Sequence, residues 1–194
     1  MARPKEFNRN EVLEAAMDLF WMQGYSATSI RDLVEHLGIG KRSLYDTYGS
    51  KEDLFLEALD LYRSQTKEVL QSLRTGPSMR EAIRDLYFRR IEFVSSPNGW
   101  RGCLMTNTAI ELAPHNARIR SKIQDMLKDT ENSLYSAILR GQKSGEFSKT
   151  LNARKTAVYL TQSVLGFNAF AKLSPGIRRL RETAEITLSV LDRP

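Results

Sequence analysis

Apolar residues along the chain recur at intervals of three and four, and nowhere do apolar and polar positions alternate for long enough to make a half-buried strand. The pattern predicts an all-α protein. Over 10–23 the stripe Val12, Leu13, Ala16, Leu19 and Phe20 defines a first helix, stopped by Gly24. A short second helix starts at Ser29, with Asp32 three residues on in a capping-box pattern, and turns Ile30, Leu33, Val34 and Leu37 inward. Gly38, Ile39 and Gly40 then make a tight turn. Residues 41–48 read as a third helix with Leu44 inside and Tyr45 and Tyr48 partly inside. Two short helices joined by three residues that include glycine are a helix-turn-helix signature. Gly49 ends that unit, and Ser50 with Asp53 caps a long fourth helix reaching about residue 73. Further helices are predicted over 78–94, 102–113, 116–142, 153–172 and 176–191. Pro4, Pro77, Pro97, Pro114, Pro175 and Pro194 all stand where a helix begins or ends.

Composition narrows the class. The 194 residues, 41% hydrophobic, are too apolar for a disordered chain and long enough for one ordinary domain or a small module on a larger one. The single cysteine cannot form an internal disulfide, and MARPKEFNRN has no apolar stretch to serve as a secretory signal, so a cytoplasmic protein is expected. The apolar runs are too short to span a bilayer. The net charge of +6 is unevenly placed: residues 1–60 carry 7 Lys plus Arg against 11 Asp plus Glu, a net of −4, and the rest 22 against 12, a net of +10. If the N-terminal unit binds DNA, it does so with a few placed cations rather than a general field.

Catalytic patterns are missing. Gly38-Ile39-Gly40-Lys41 is glycine-rich beside a lysine, but a phosphate loop needs an earlier glycine where Glu35 stands, a Ser or Thr where Arg42 stands, and a preceding strand. His36 and His115 are far apart and lack the neighbours of a metal or nucleophile site. Neither enzyme chemistry, cofactor nor metal is expected; the competing class is a helical enzyme or adaptor that does not bind DNA.

The stretch GYSATSIRDLVEHLGIGKRSLYDTYGSKEDLF, residues 24–55, resembles the DNA-binding domain of the TetR family of transcriptional regulators. The likeness lies in the capped second helix, the Gly38-Ile39 turn, Leu44-Tyr45, an aromatic at Tyr48 and Ser50-Lys51-Glu52 opening the fourth helix. Beyond it the helix layout and the segment GCLMTNTAIELAP continue the likeness. Two positions depart: Gly40, where the family often has a capping serine, and Arg42, where a smaller residue is common. With Leu44 pointing inward, Lys41, Arg42, Ser43 and Thr47 reach the outer face of a helix placed in the major groove. The resemblance adds Arg31 at a position that can reach a base, and Tyr45, Thr47, Tyr48 and Lys51 at positions that grip phosphates. Taken singly, these residues read as solvated charges and core tyrosines.

The resemblance divides the chain into a three-helix DNA-binding domain, 1–50, and a helical effector-binding and dimerisation domain, 51–194. It implies a homodimer joined through its last two helices, a palindromic operator in double-stranded DNA, repression rather than activation, and release by a small organic effector. The helix over 153–172 carries one stripe at Leu160, Val164 and Phe167 and a second at Val158, Leu165 and Ala169, with Gly166 beside it. The last helix offers Leu180, Ala184, Thr187, Leu188 and Leu191. An effector pocket between the fifth to eighth helices would be lined by Tyr87, Ile91, Trp100, Leu104, Met126, Tyr135 and Phe167, with Asn107, Glu111 and Ser163 as polar contacts. Cys103, in the first turn predicted for the sixth helix, would feel the positive end of the helix dipole, and Gly102-Cys103 resembles the thiol-switched members that respond to electrophiles or oxidants. Each pocket residue, Cys103 included, also reads as ordinary core.

Overall fold

The computed structural model describes residues 7–174 and 176–192, so Pro4, Pro175 and Pro194 lie outside the described residues. Among these there is no strand, and the chain forms α1 (Arg9–Gln23), α2 (Ile30–Leu37), α3 (Lys41–Tyr48), α4 (Lys51–Thr75), α5 (Met79–Val94), α6 (Leu104–Glu111), α7 (Ala117–Ser144), α8 (Ala153–Ala171) and α9 (Ile177–Leu188). Short 3-10 turns occupy Gly99–Arg101 and Ser189–Asp192. No helix of the described residues is long and apolar enough to cross a membrane.

Local chemistry sets the boundaries. Ser29 and Asp32 form the full reciprocal box: the Asp32 amide donates to Ser29 Oγ over 3.1 Å and the Ser29 amide to Asp32 Oδ2 over 2.8 Å. Gly38 ends α2 in the left-handed region, at φ 64°, where a side chain would be strained. Ser50, Ser78, Asn116 and Asn152 cap α4, α5, α7 and α8. Gly40 opens α3 with no side-chain cap, as its composition predicts. The start of α6 differs from the expected 102. Gly102 stands at φ 70° and Cys103 is extended, so neither continues a right-handed turn and the helix begins at Leu104.

Two apolar cores hold the helices. The first joins α1–α3 to Leu54, Phe55, Ala58 and Leu59 of α4, and continues into Leu104, Met105, Ile119 and Ile123. It therefore runs past residue 50 into α4. Phe20 meets Phe55 edge-on at 4.9 Å, a preferred aromatic arrangement. The second core gathers Leu70 and Leu73 of α4 with α5, the C-terminal half of α7, α8 and α9. Because α4 and α7 contribute to both cores, they are the struts between them. Gly141, inside α7, has a packing reason: a Cβ there would overlap the Phe147 ring.

The last helix differs from expectation in its outward face. Leu180, Ala184, Thr187 and Leu191 are buried in the chain's own core, and Leu188 packs against it half-buried. The apolar side chains that point outward are instead Tyr159 on α8, Leu173 after it, and Ile177 and Ile186 on α9. Periodicity defines a stripe but not which neighbour covers it. Gly166, on the exposed side of α8, has open space where a Cβ would stand.

Candidate nucleic-acid interface and body cavity

The outer face of α3 is built by what its inner face does. Leu44 is fully buried and Tyr48 is 4% exposed, which turns Lys41, Arg42 and Tyr45 to solvent and leaves Ser43 and Thr47 half-covered. The Arg42 side chain is 94% exposed, with only a loose 3.6 Å approach to Asp46 one turn on. Arg31 is also exposed on α2. Tyr48, expected to grip a phosphate, has its ring in the core, and its hydroxyl donates to the Arg9 carbonyl over 3.1 Å. Lys51 leans over the Tyr25 ring with Nζ 4.2 Å from its centroid. Partial burial lowers the Lys51 pKa, against the pull of Glu111 and Asp32.

In the body, α4, α5, α6, α7 and α8 line a half-open cavity of about 290 Å³, with mostly apolar walls. Of the residues expected to line an effector pocket, Tyr87, Cys103 and Phe167 do so. The others lie elsewhere. Ile91 and Leu104 are buried in the two cores, and Met126 borders a much smaller crevice by α4. Trp100 is 57% exposed on its 3-10 turn, Tyr135 lies under the Arg154 guanidinium, and Ser163 supports the wall by bonding the Tyr87 hydroxyl over 3.0 Å. Asn107 donates to the Arg101 carbonyl. Cys103 precedes the first turn of α6 as its cap residue, is 6% exposed, and has Sγ 3.4 Å from the Tyr62 hydroxyl. The Lys172 stem packs over Gly102 beside it. No group of three metal-ligating side chains occurs among the described residues.

Glu111 also lies elsewhere. It does not face the cavity: its carboxylate accepts the Ser26 amide at 2.7 Å and the Tyr25 amide at 3.4 Å, gripping the loop between α1 and α2. The same joint holds Arg101 against Asp18 at 2.9 Å, and Arg118 against Glu52 at 2.7 Å and Asp53 at 2.8 Å. Sequence reading missed Trp21. Its indole donates to the Gly102 carbonyl over 3.1 Å, and its ring stacks on Phe93 at 5.8 Å and meets Tyr62 edge-on at 5.2 Å. Phe93, Tyr62 and Cys103 all line the cavity. One side chain of α1 thus touches two lining residues of the cavity and the backbone beside a third.

A capped α2, a glycine turn and an α3 whose polar and basic face is free define a helix-turn-helix DNA-binding regulator, with a helical body attached. Known proteins agree with this class. Residues 12–58 match the family described as bacterial regulatory proteins, tetR family, and residues 80–187 match the tetracyclin repressor-like C-terminal domain. The chain belongs to the TetR family of DNA-binding transcriptional regulators. It is 37% identical over 194 residues to YezE, a helix-turn-helix-type transcriptional regulator of Bacillus subtilis strain 168, covering 99% of this chain and 100% of YezE. It is 30% identical to the transcriptional repressor ComR of Escherichia coli K12, covering 96% of this chain and 90% of ComR. A cysteine mutant of the TetR family regulator CifR, solved with a 26-base-pair double-strand operator DNA, superposes with a TM-score of 0.86 at 29% identity, over 96% of this chain and 98% of that one. These relatives are regulators, and none supports the enzyme or adaptor reading.

Proposed function

We propose that the protein is a homodimeric repressor that holds a palindromic operator through α3 of each copy and releases it when a small organic effector enters the body cavity. The observation that carries this reading is the position of Trp21. A ligand that displaces Tyr62, Phe93 or the 102–103 backbone moves the contacts that seat α1, and α1 carries α2 and α3 with it through the shared core. Two recognition helices in successive major grooves must stay ~34 Å apart, so a small tilt of each unit is enough to spoil the match. The repressor ComR supports the direction of control, and the operator complex of CifR supports duplex DNA as the partner.

Pairing through α8 and α9 is supported by the exposed Tyr159, Ile177 and Ile186 and by the open space at Gly166, where a second helix can approach closely. In this arrangement Lys41, Arg42 and Ser43 meet the groove, Arg31 flanks them, and Tyr45, Thr47 and Lys51 approach the phosphates. The test is selection of bound duplexes from a random-sequence pool by the purified protein. Enrichment of an inverted repeat is expected. Enrichment of a single unpaired half-site, or of nothing, overturns the palindrome.

A further inference from the structure

Arg90 lies on α5 one turn beyond Tyr87 and lines the cavity, although most of its surroundings are apolar. Its Nε and Nη2 are buried, and neither has a hydrogen-bond partner among the described residues. Those two nitrogens form one edge of the guanidinium and present parallel N–H bonds, the fork that takes both oxygens of a carboxylate. The group is held in place by the Phe93 ring, whose centroid lies 4.7 Å from Cζ. A second polar deficit lies in the same cavity. Asn168 is buried, lines the wall, and has an unpartnered Oδ1. A half-turn of its amide presents either an acceptor or two donors to a ligand's polar end. Two buried guanidinium nitrogens and a buried amide oxygen without partners are costly in an apolar site, and a ligand that supplies those partners recovers the cost.

We infer that the effector is a small apolar monocarboxylate whose head is gripped by the Nε–Nη2 edge of Arg90, with Asn168 as the second polar anchor. This rests on the reading of the cavity as the effector site. The charge sets the class: Arg89, the neighbouring cation on the wall, is exposed and approaches Asp85 at 3.9 Å, which leaves one unneutralised guanidinium for the ligand. A monoanion balances it, whereas a phosphate dianion would leave a charge uncompensated among apolar side chains. The volume of about 290 Å³ is near the lower end of small-molecule sites, and Leu70, Leu86, Leu127, Val164 and Phe167 offer the tail an apolar bed.

The test is calorimetric titration of the full-length protein with octanoate and phenylbutyrate, each against the neutral alcohol of the same skeleton. Wild type binds at least one acid about tenfold or more tightly than its alcohol. Arg90→Met loses that preference, and Arg90→Lys, which keeps the charge but not the fork, retains part of it. Equal binding of acid and alcohol by wild type, failure of both acids to bind, or unchanged acid binding in Arg90→Met overturns the assignment. Should Arg90→Met not fold by circular dichroism, Arg90→Lys alone decides, and full retention of the acid preference counts against the fork. Val164→Trp fills the cavity and separates the two readings. If it abolishes acid binding while Arg90→Met does not, the head-group assignment fails and the cavity stands; if acid binding survives it, the cavity itself is not the site.

Discussion

Arg42 and Tyr45 both face outward from α3, but their chemistry differs. A guanidinium can bridge two acceptors on a guanine edge, while a phenol hydroxyl makes one bond to a phosphate that every sequence shares. Arg42→Ala is expected to cost ~1–3 kcal/mol and to relax preference at one operator position, whereas Tyr45→Phe weakens all duplexes alike. Tyr48→Phe is the control: its hydroxyl is bound to the Arg9 carbonyl, so its loss lowers thermal stability by about 1 kcal/mol and leaves the sequence profile of binding unaltered. Competition binding against single-base operator variants separates the three. A flat profile for Arg42→Ala would remove Arg42 from base reading.

The start of α5 shows how one helix depends on another. Glu146, just beyond α7, accepts the Ser78 hydroxyl at 2.8 Å, the Arg80 amide at 3.1 Å and the Met79 amide at 3.2 Å, so a carboxylate from a distant loop satisfies the free donors of the first turn. Burial alone would raise its pKa; the bonds from the Arg80 amide, Ser78, the Met79 amide and Ser144 outweigh this and lower it to about 2. A depressed folded-state pKa means that the contribution is complete above the ordinary value of 4.5 and is lost as pH falls toward about 2. Glu146→Gln, which keeps the shape but not the charge, is expected to destabilise by about 2 kcal/mol near neutral pH. Denaturant titrations of both proteins should converge as the pH drops through that window. A gap that persists at its lower end would assign the effect to shape rather than charge.

Assembly depends on side chains that a single copy leaves uncovered. Ile186 is 74% exposed, so replacing it by aspartate removes little from the protomer's own core. In an α8–α9 interface the same change places an unpaired charge among apolar groups, at a cost of several kcal/mol. Ile186→Asp is expected to sediment as a monomer with unchanged helical content and to bind a full operator much more weakly than wild type. A dimer that persists would move the interface off this face.

The elements were readable along the chain because their causes are short-range. A capping box spans three residues, a left-handed glycine acts where it stands, and an apolar stripe repeats every three or four positions. The helix-turn-helix unit was legible for that reason, down to the uncapped Gly40. The roles of Tyr48, Glu111 and Trp21 were not, since their partners lie 39, 85 and 81 residues away and sequence spacing carries no record of which distant carbonyl or amide a side chain meets. Arg90 left a trace, a cation in line with Ile83 and Tyr87 on the inward face of α5, but only the closing of α4, α7 and α8 around it turned that irregularity into an unpaired charge in a cavity. The outward face of α9 was decided in the same way. Leu180 and Ile186 are equally apolar as residues, and which of them is covered depends on how α9 packs against α5 and α8.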